Sequence, residues 1–317
     1  MIAAFKDTSP GVKLISLLIL ILTSMIIFSV IGMLICIPVY HINFLTDPNA
    51  LNDLDNGNVI ASLKVLQVIG TAIGTFIAPV LLFALFFIQG KLSFFHLNKA
   101  PRLASIFIVV LLMIAAMPLI NWMAELNSRM ILPDALSGVE QWMKSSEDQL
   151  EKLTKAFLKM NNIGDLVLNL FIIAFLAALG EELLFRGVIQ CVLLDWVGNK
   201  HKAIWITAIL FSAFHMQFYG FLPRMMLGAL LGYLYFWSES LWLPIIAHFS
   251  NNAMAVVISY LIDKGQFPNE AETVGGDTSD LSLVLISLFL VGGFLLLIYR
   301  LESIHSKQIS AKERETT

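Results

Sequence analysis

Long apolar windows constrain this chain more than any other feature. Five stretches, 14–46, 65–90, 103–124, 203–223 and 240–262, run with almost no charged residue, and 281–299 is a slightly shorter sixth. About 20 predominantly apolar residues suffice for a helix to cross a bilayer. Two further segments, about 166–196 and 223–238, are apolar but carry charges. The expected fold is therefore all-α: a polytopic integral membrane helical bundle of about eight transmembrane helices. The composition agrees, because 14% of the 317 residues are charged where soluble domains carry about 25%.

The first apolar run follows Lys6 and Lys13. It is too long for a signal-peptide core and lacks a small-residue cleavage site, so it reads as an uncleaved first span. Lys91, Lys99, Arg102, Lys200, Lys202, Arg300, Lys307, Lys312 and Arg314 fall in alternate connections or the tail. Loops 40–60 and 263–280 hold Asp47, Asp53, Asp55, Glu270, Glu272, Asp277 and Asp280. The positive-inside rule then puts both termini in the cytoplasm of a multi-pass protein, with the plasma membrane the expected location. The bilayer and a membrane-associated peptide are the expected partners, and no nucleic acid is. Cys36 and Cys191 each lie in an apolar segment and read as free thiols, with no disulfide framework.

The chain divides into 1–124 (three spans), 125–163 (a linker), 164–262 (a core bearing the polar motifs) and 263–317 (a loop, the last span and a tail). In the linker Val139, Trp142, Met143, Leu150, Leu153, Phe157 and Met160 recur at helical spacings among Lys and Glu. This predicts an amphipathic helix in the interface plane, opposite the termini. Gly70-Thr-Ala-Ile-Gly74 and Gly228-Ala-Leu-Leu-Gly232 are small-xxx-small patterns that permit close helix contact. The two halves show no repeat of the kind found in many transporters.

The core segment puts Glu181, Glu182 and Arg186 in the middle of an apolar run. One charge at the centre of a membrane helix costs roughly 2.5–3.5 kcal/mol on insertion scales, so three together need partners and a function. Glu182 and Arg186 are four apart with the acid first, the favourable order for a helical ion pair. Glu181 points about 100° away around the helix. Burial and a like-charged neighbour poise it to exchange a proton with water, as a general base must. Phe211-Ser-Ala-Phe-His215 and His248-Phe-Ser-Asn-Asn252 bring imidazoles on two later segments. His215 can share a water with Glu181. His248 and Asn252 share a helical face, and both can donate to a developing oxyanion. Helix rise puts Glu181 about 24 Å, His215 roughly 18 Å and His248 roughly 9 Å from the inner ends of their spans. Those depths can converge between the cytoplasmic half and the middle of the bilayer.

Taken in order, Glu181-Glu182-x-x-x-Arg186, Phe211-x-x-x-His215 and His248-x-x-x-Asn252 resemble the CAAX protease and bacteriocin-processing family. This group contains the type II CAAX prenyl endopeptidases. The resemblance covers about 165–262 and implies an intramembrane endopeptidase. Glu181 and His215 would activate water, Glu182 and Arg186 would support and tune Glu181, and His248 and Asn252 would stabilise the oxyanion. No cofactor is expected. Zinc is the rival, since Glu, His and His could make three ligands. Against it, none of the six histidines is followed by glutamate, so the His-Glu-x-x-His zinc motif is absent. Intramembrane Glu and His are equally normal in a proton-coupled transporter. A non-catalytic scaffold or bacteriocin-immunity protein could also keep this fold.

Overall fold

The computed structural model describes residues 7–88, 95–277 and 280–315, with the side chains of 305–315 left out of the description. Lys6 and Lys91, and the side chains of Lys307, Lys312 and Arg314, lie outside the described residues. The chain forms helices α1 Pro10–Tyr40, α2 Gly57–Phe87, α3 Leu103–Ser128, α4 Ser137–Leu158, α5 Ile163–Val197, α6 Lys200–Phe214, α7 Phe221–Ser238, α8 Trp242–Asp263 and α9 Leu281–Glu315. There is no strand among the described residues. Six helices (α1, α2, α3, α5, α8 and α9) are long and apolar enough to cross a membrane. α1 and α9 turn large apolar side chains outward, Ile15, Ile19, Ile26 and Phe289 among them. This is the surface of a multi-pass membrane protein, whose outer helices meet hydrocarbon rather than water.

The expected span at 203–223 is not one helix. α6 stops at Phe214, and Met216 takes a left-handed backbone at φ 53°. The Ser212 hydroxyl donates to the Phe221 carbonyl at 2.6 Å, closing the turn. Pro223 then sits in the first turn of α7, where a missing N–H costs nothing. Fifteen residues give α6 a length of about 22 Å, less than the roughly 30 Å hydrocarbon thickness. His215 caps this short helix, so the motif Phe211-Ser-Ala-Phe-His215 ends its segment.

Connections fix which helix ends share a side. At the end nearest the N-terminus, Lys99 pairs with Glu239 at 2.7 Å, the Trp242 indole donates to the Leu97 carbonyl, and the Arg102 N–H donates to Glu302. At the other end, the Met160 N–H donates to Asp263 and Asn121 donates to the carbonyls of Glu272 and Val274. α4 lies at this second end. It is the amphipathic helix expected of the linker, with Glu140–Lys144 and Glu151–Lys155 ion pairs on its wet face. It ends at Leu158, so Met160, expected on its apolar face, instead buries itself just beyond.

Glycines set the closest approaches. A Cβ on Gly74 would lie 2.6 Å from Phe28 Cβ, and one on Gly228 would lie 3.1 Å from Ala208 Cα. Both small-residue patterns are thus contacts, α2 on α1 and α7 on α6. Van der Waals packing is the main force holding helices together in lipid, so a lost contact has little else to replace it. Cys36 and Cys191 are free thiols. We expect Gly74→Val to lower the unfolding midpoint in detergent by a cost of about 1–3 kcal/mol. A Val at position 57, where nothing lies within 4 Å of an added Cβ, serves as the control and should leave the midpoint nearly unchanged.

Candidate active site

α5 is not a uniform α-helix. Residues 170–176 and 185–189 are wound as π-helix, and the α-helical turns 177–184 between them carry both glutamates. Single π turns widen the backbone and are frequent at functional sites. Gly180, beside the glutamates, lets Phe76 of α2 come within 2.8 Å of where a Cβ would stand. Glu182 and Arg186 are fully buried.

Arg186 organises the centre. Its Nη1 donates to Glu182 Oε1 at 2.7 Å and its Nη2 donates to the Gly228 carbonyl on α7 at 2.8 Å. The guanidinium also stands 4.8 Å from the centroid of the Phe211 ring on α6. Gly228 has a double use, since the lack of a side chain that allows α7 against α6 also exposes the carbonyl Arg186 needs. An ion pair buried to this degree gains only when its remaining hydrogen-bonding groups are met. The carbonyl and the aromatic face supply part of that.

Each imidazole is fixed through one nitrogen and turned toward Glu181 with the other. His248 Nδ1 is 2.8 Å from Glu182 Oε1, and His215 Nδ1 is 2.8 Å from the Phe211 carbonyl. A carboxylate and a carbonyl only accept, so both Nδ1 atoms carry the proton. The two Nε2 atoms each lie 3.8 Å from Glu181 Oε2. That is too far for a direct hydrogen bond, and one small molecule could touch Glu181 and an imidazole together. Glu181 Oε2 is buried with no hydrogen-bond partner. The His215 side chain remains 26% exposed against 4% for His248, so the site is entered from the His215 side. Phe211 packs edge-on against both imidazoles.

Five of the six expected residues, Glu181, Glu182, Arg186, His215 and His248, thus form one cluster. Their partnerships differ from the expected ones, because Glu182 and Arg186 bear on His248 and not directly on Glu181. Asn252, one turn beyond His248, is tied to α5 instead. Its Nδ2 donates to the Ile173 carbonyl at 3.2 Å, within the first π segment, while its Oδ1 accepts from Asn251. An amide nitrogen has a second hydrogen to give. Among the described residues, no group of three or more His, Cys, Asp or Glu side chains is arranged to hold a metal ion.

Sequence reasoning missed the residues that hold the His215 turn. Asn127 of α3, nearly fully buried, donates to the Phe218 carbonyl at 2.9 Å and accepts from the Leu222 N–H at 2.6 Å. Glu147 of α4 accepts from the Tyr219 N–H, and Trp142 packs on Phe218. Arg224 donates to the Gln217 carbonyl and lies within electrostatic reach of Glu181 and His215. The only advance signs were a polar Asn127 at the end of an apolar window and an arginine one residue after Pro223. Beside this turn, a cavity of about 610 Å³ lined by Glu147, Gln217 and Asp263 opens under α4. The open flank of the site, at His215, therefore lies toward the α4 end of the bundle, while His248, six residues into α8, lies toward the end that holds the termini.

The buried pair makes a stability prediction. Arg186→Met leaves Glu182 with a buried charge and should cost about 3–5 kcal/mol. Adding Glu182→Gln to it should recover part of that loss, as read from unfolding midpoints in detergent. Equal midpoints for all three proteins would contradict the pairing.

Residues 163–254 match the family model described as type II CAAX prenyl endopeptidase, Rce1-like. The chain is also similar to an uncharacterized protein of Bacillus subtilis, YpbD, at 27% identity over 121 residues. That match covers 37% of this chain and 57% of YpbD, so it spans little more than half of the relative's length. No solved structure matches. The match covers the segment that holds all three motifs, so the resemblance they carry is borne out there: residues 163–254 are similar to type II CAAX prenyl endopeptidases, Rce1-like.

Proposed function

We propose that this chain is an intramembrane endopeptidase in which Glu181 and His215 activate a water molecule against the peptide bond of a membrane-associated substrate. One observation carries the reading: the buried, unpartnered Glu181 Oε2 lies 3.8 Å from Nε2 of both His215 and His248. With its Nδ1 proton given to Phe211, neutral His215 presents a bare Nε2. A water donating one hydrogen to that nitrogen and the other to Glu181 turns its lone pairs outward, toward a carbonyl carbon. As the C–O bond forms, Glu181 takes the water proton and the carbonyl π pair moves onto oxygen. When the C–N bond breaks, the amine leaves with a proton returned by Glu181.

His248 supplies the charge for the oxyanion. Its Nδ1 proton is held by Glu182, so Nε2 can donate only from the imidazolium form. The carboxylates of Glu181 and Glu182 then balance the cations of Arg186 and His248. Fixed donors of this kind need no reorganisation as charge develops. The free hydrogen of the Asn252 amide is the second donor. Glu182 and Arg186 act as positioning residues by fixing the His248 ring. With the termini cytoplasmic, the α4 end and the mouth of the site face the opposite side of the membrane.

The test is cleavage of a membrane-presented peptide, prenylated or not, by purified protein in liposomes. Glu181→Gln and His215→Ala should each abolish cleavage. Asn252→Ala should retain turnover lowered roughly 10²–10³-fold, the usual cost of one oxyanion donor. Cleavage should survive a chelator. Loss with chelator and recovery with zinc would favour the metallopeptidase reading instead, and equal residual rates in all three variants would overturn the assignment of roles. Cellular function that persists in Glu181→Gln would point to a scaffold.

A further inference from the structure

A cavity of about 850 Å³ lies between α2 and α5 at the α4 end, away from the glutamates and imidazoles. That volume is within the 300–1,000 Å³ range of small-molecule sites. Its long wall follows α2 from Gly57 to Ile69, about 18 Å of helix. The deep part is apolar, with Val65, Val68, Leu168 and Ile172 on the facing walls. Its mouth is lined by three lysines, Lys64 of α2 and Lys155 and Lys159 beside the end of α4.

Three lysines outnumber the two carboxylates, Asp55 and Asp165, that line the same cavity. Lys64 sits seven residues into a helix apolar enough to span, about 10 Å from its first residue. Among the described residues neither Lys64 nor Lys159 forms an ion pair within 4.0 Å; Lys155 does, with Glu151. The carboxylate of Asp165 accepts from the N–H groups of Asn161 and Asn162, completing a capping box at the start of α5, and also lies within electrostatic reach of Lys64. Asp55 lies on the loop side, before α2 begins. A lysine this deep directs its ammonium toward the interface while its stem stays with the apolar wall.

We propose that this cavity is a binding site for an anionic glycerophospholipid of the surrounding leaflet. The phosphate sits among Lys64, Lys155 and Lys159, and an acyl chain runs down the α2–α5 groove. Cationic mouth and apolar depth together select an anionic amphiphile over either a soluble anion or a neutral lipid. The groove ends at Ile172, whose neighbour Ile173 accepts the Asn252 hydrogen bond. A bound chain would therefore buttress the backbone that anchors Asn252.

The experiment uses the full chain in nanodiscs of mixed phosphatidylglycerol and phosphatidylcholine, with retained lipid identified by native mass spectrometry. The wild-type protein should retain phosphatidylglycerol preferentially. Each lysine removed, in Lys64→Gln and Lys159→Gln, should weaken that retention about fivefold. Lys64→Arg should keep it, and melting temperatures near wild type would show that the variants fold. Inorganic phosphate and glycerophosphate should fail to compete, since they lack the chain. Equal retention of both lipids, unchanged retention in the double Gln variant, or full competition by inorganic phosphate would each overturn the proposal.

Discussion

The buried Glu182–Arg186 ion pair is the constraint on which the rest of the centre depends. Two full charges inside a bundle cannot be left to themselves, and each remaining hydrogen-bonding group demands a partner. Arg186 finds the Gly228 carbonyl and the Phe211 face, which draws in α7 and α6. Glu182 finds His248, which draws in α8. Four helices thus converge on one pair. The second glutamate, set around the helix from the first, is left looking into the space this convergence creates.

Small residues make the convergence possible. Gly228 and Gly180 each replace a side chain with another helix, and the π turns on either side of the glutamates re-aim the α5 backbone. Near His215 the fold does something different. It ends α6 early and secures the following turn with Asn127 of α3 and Glu147 of α4. That leaves one imidazole partly open and the other shut away, a division of exposure that matches a water-activating group and a charge-stabilising one.

Much of this was legible in the residues. Apolar windows gave the bundle, the four-residue spacing gave the ion pair, and three short motifs in order gave the family that the core segment resembles. The rest was hidden for physical reasons. Nothing in Ser212-Ala-Phe-His215-Met216 announces a helix end, because the turn is closed by a hydroxyl reaching Phe221 and an amide reaching from α3. π turns have no composition of their own. That Glu182 serves His248 could not be read from spacing, since the two are 66 residues apart and meet only through packing. Asn252 shared the expected face with His248, yet the carbonyl it grips on α5 belongs to backbone that no side-chain pattern reports.

The most direct measurement is an experimental map of the protein in lipid nanodiscs, sharp enough to show ordered solvent around Glu181. The account predicts a water within about 3 Å of both Glu181 Oε2 and His215 Nε2, with His248 still joined to Glu182. A metal ion about 2.0–2.1 Å from both imidazole nitrogens, or a Glu181 carboxylate turned away from both rings, would contradict it.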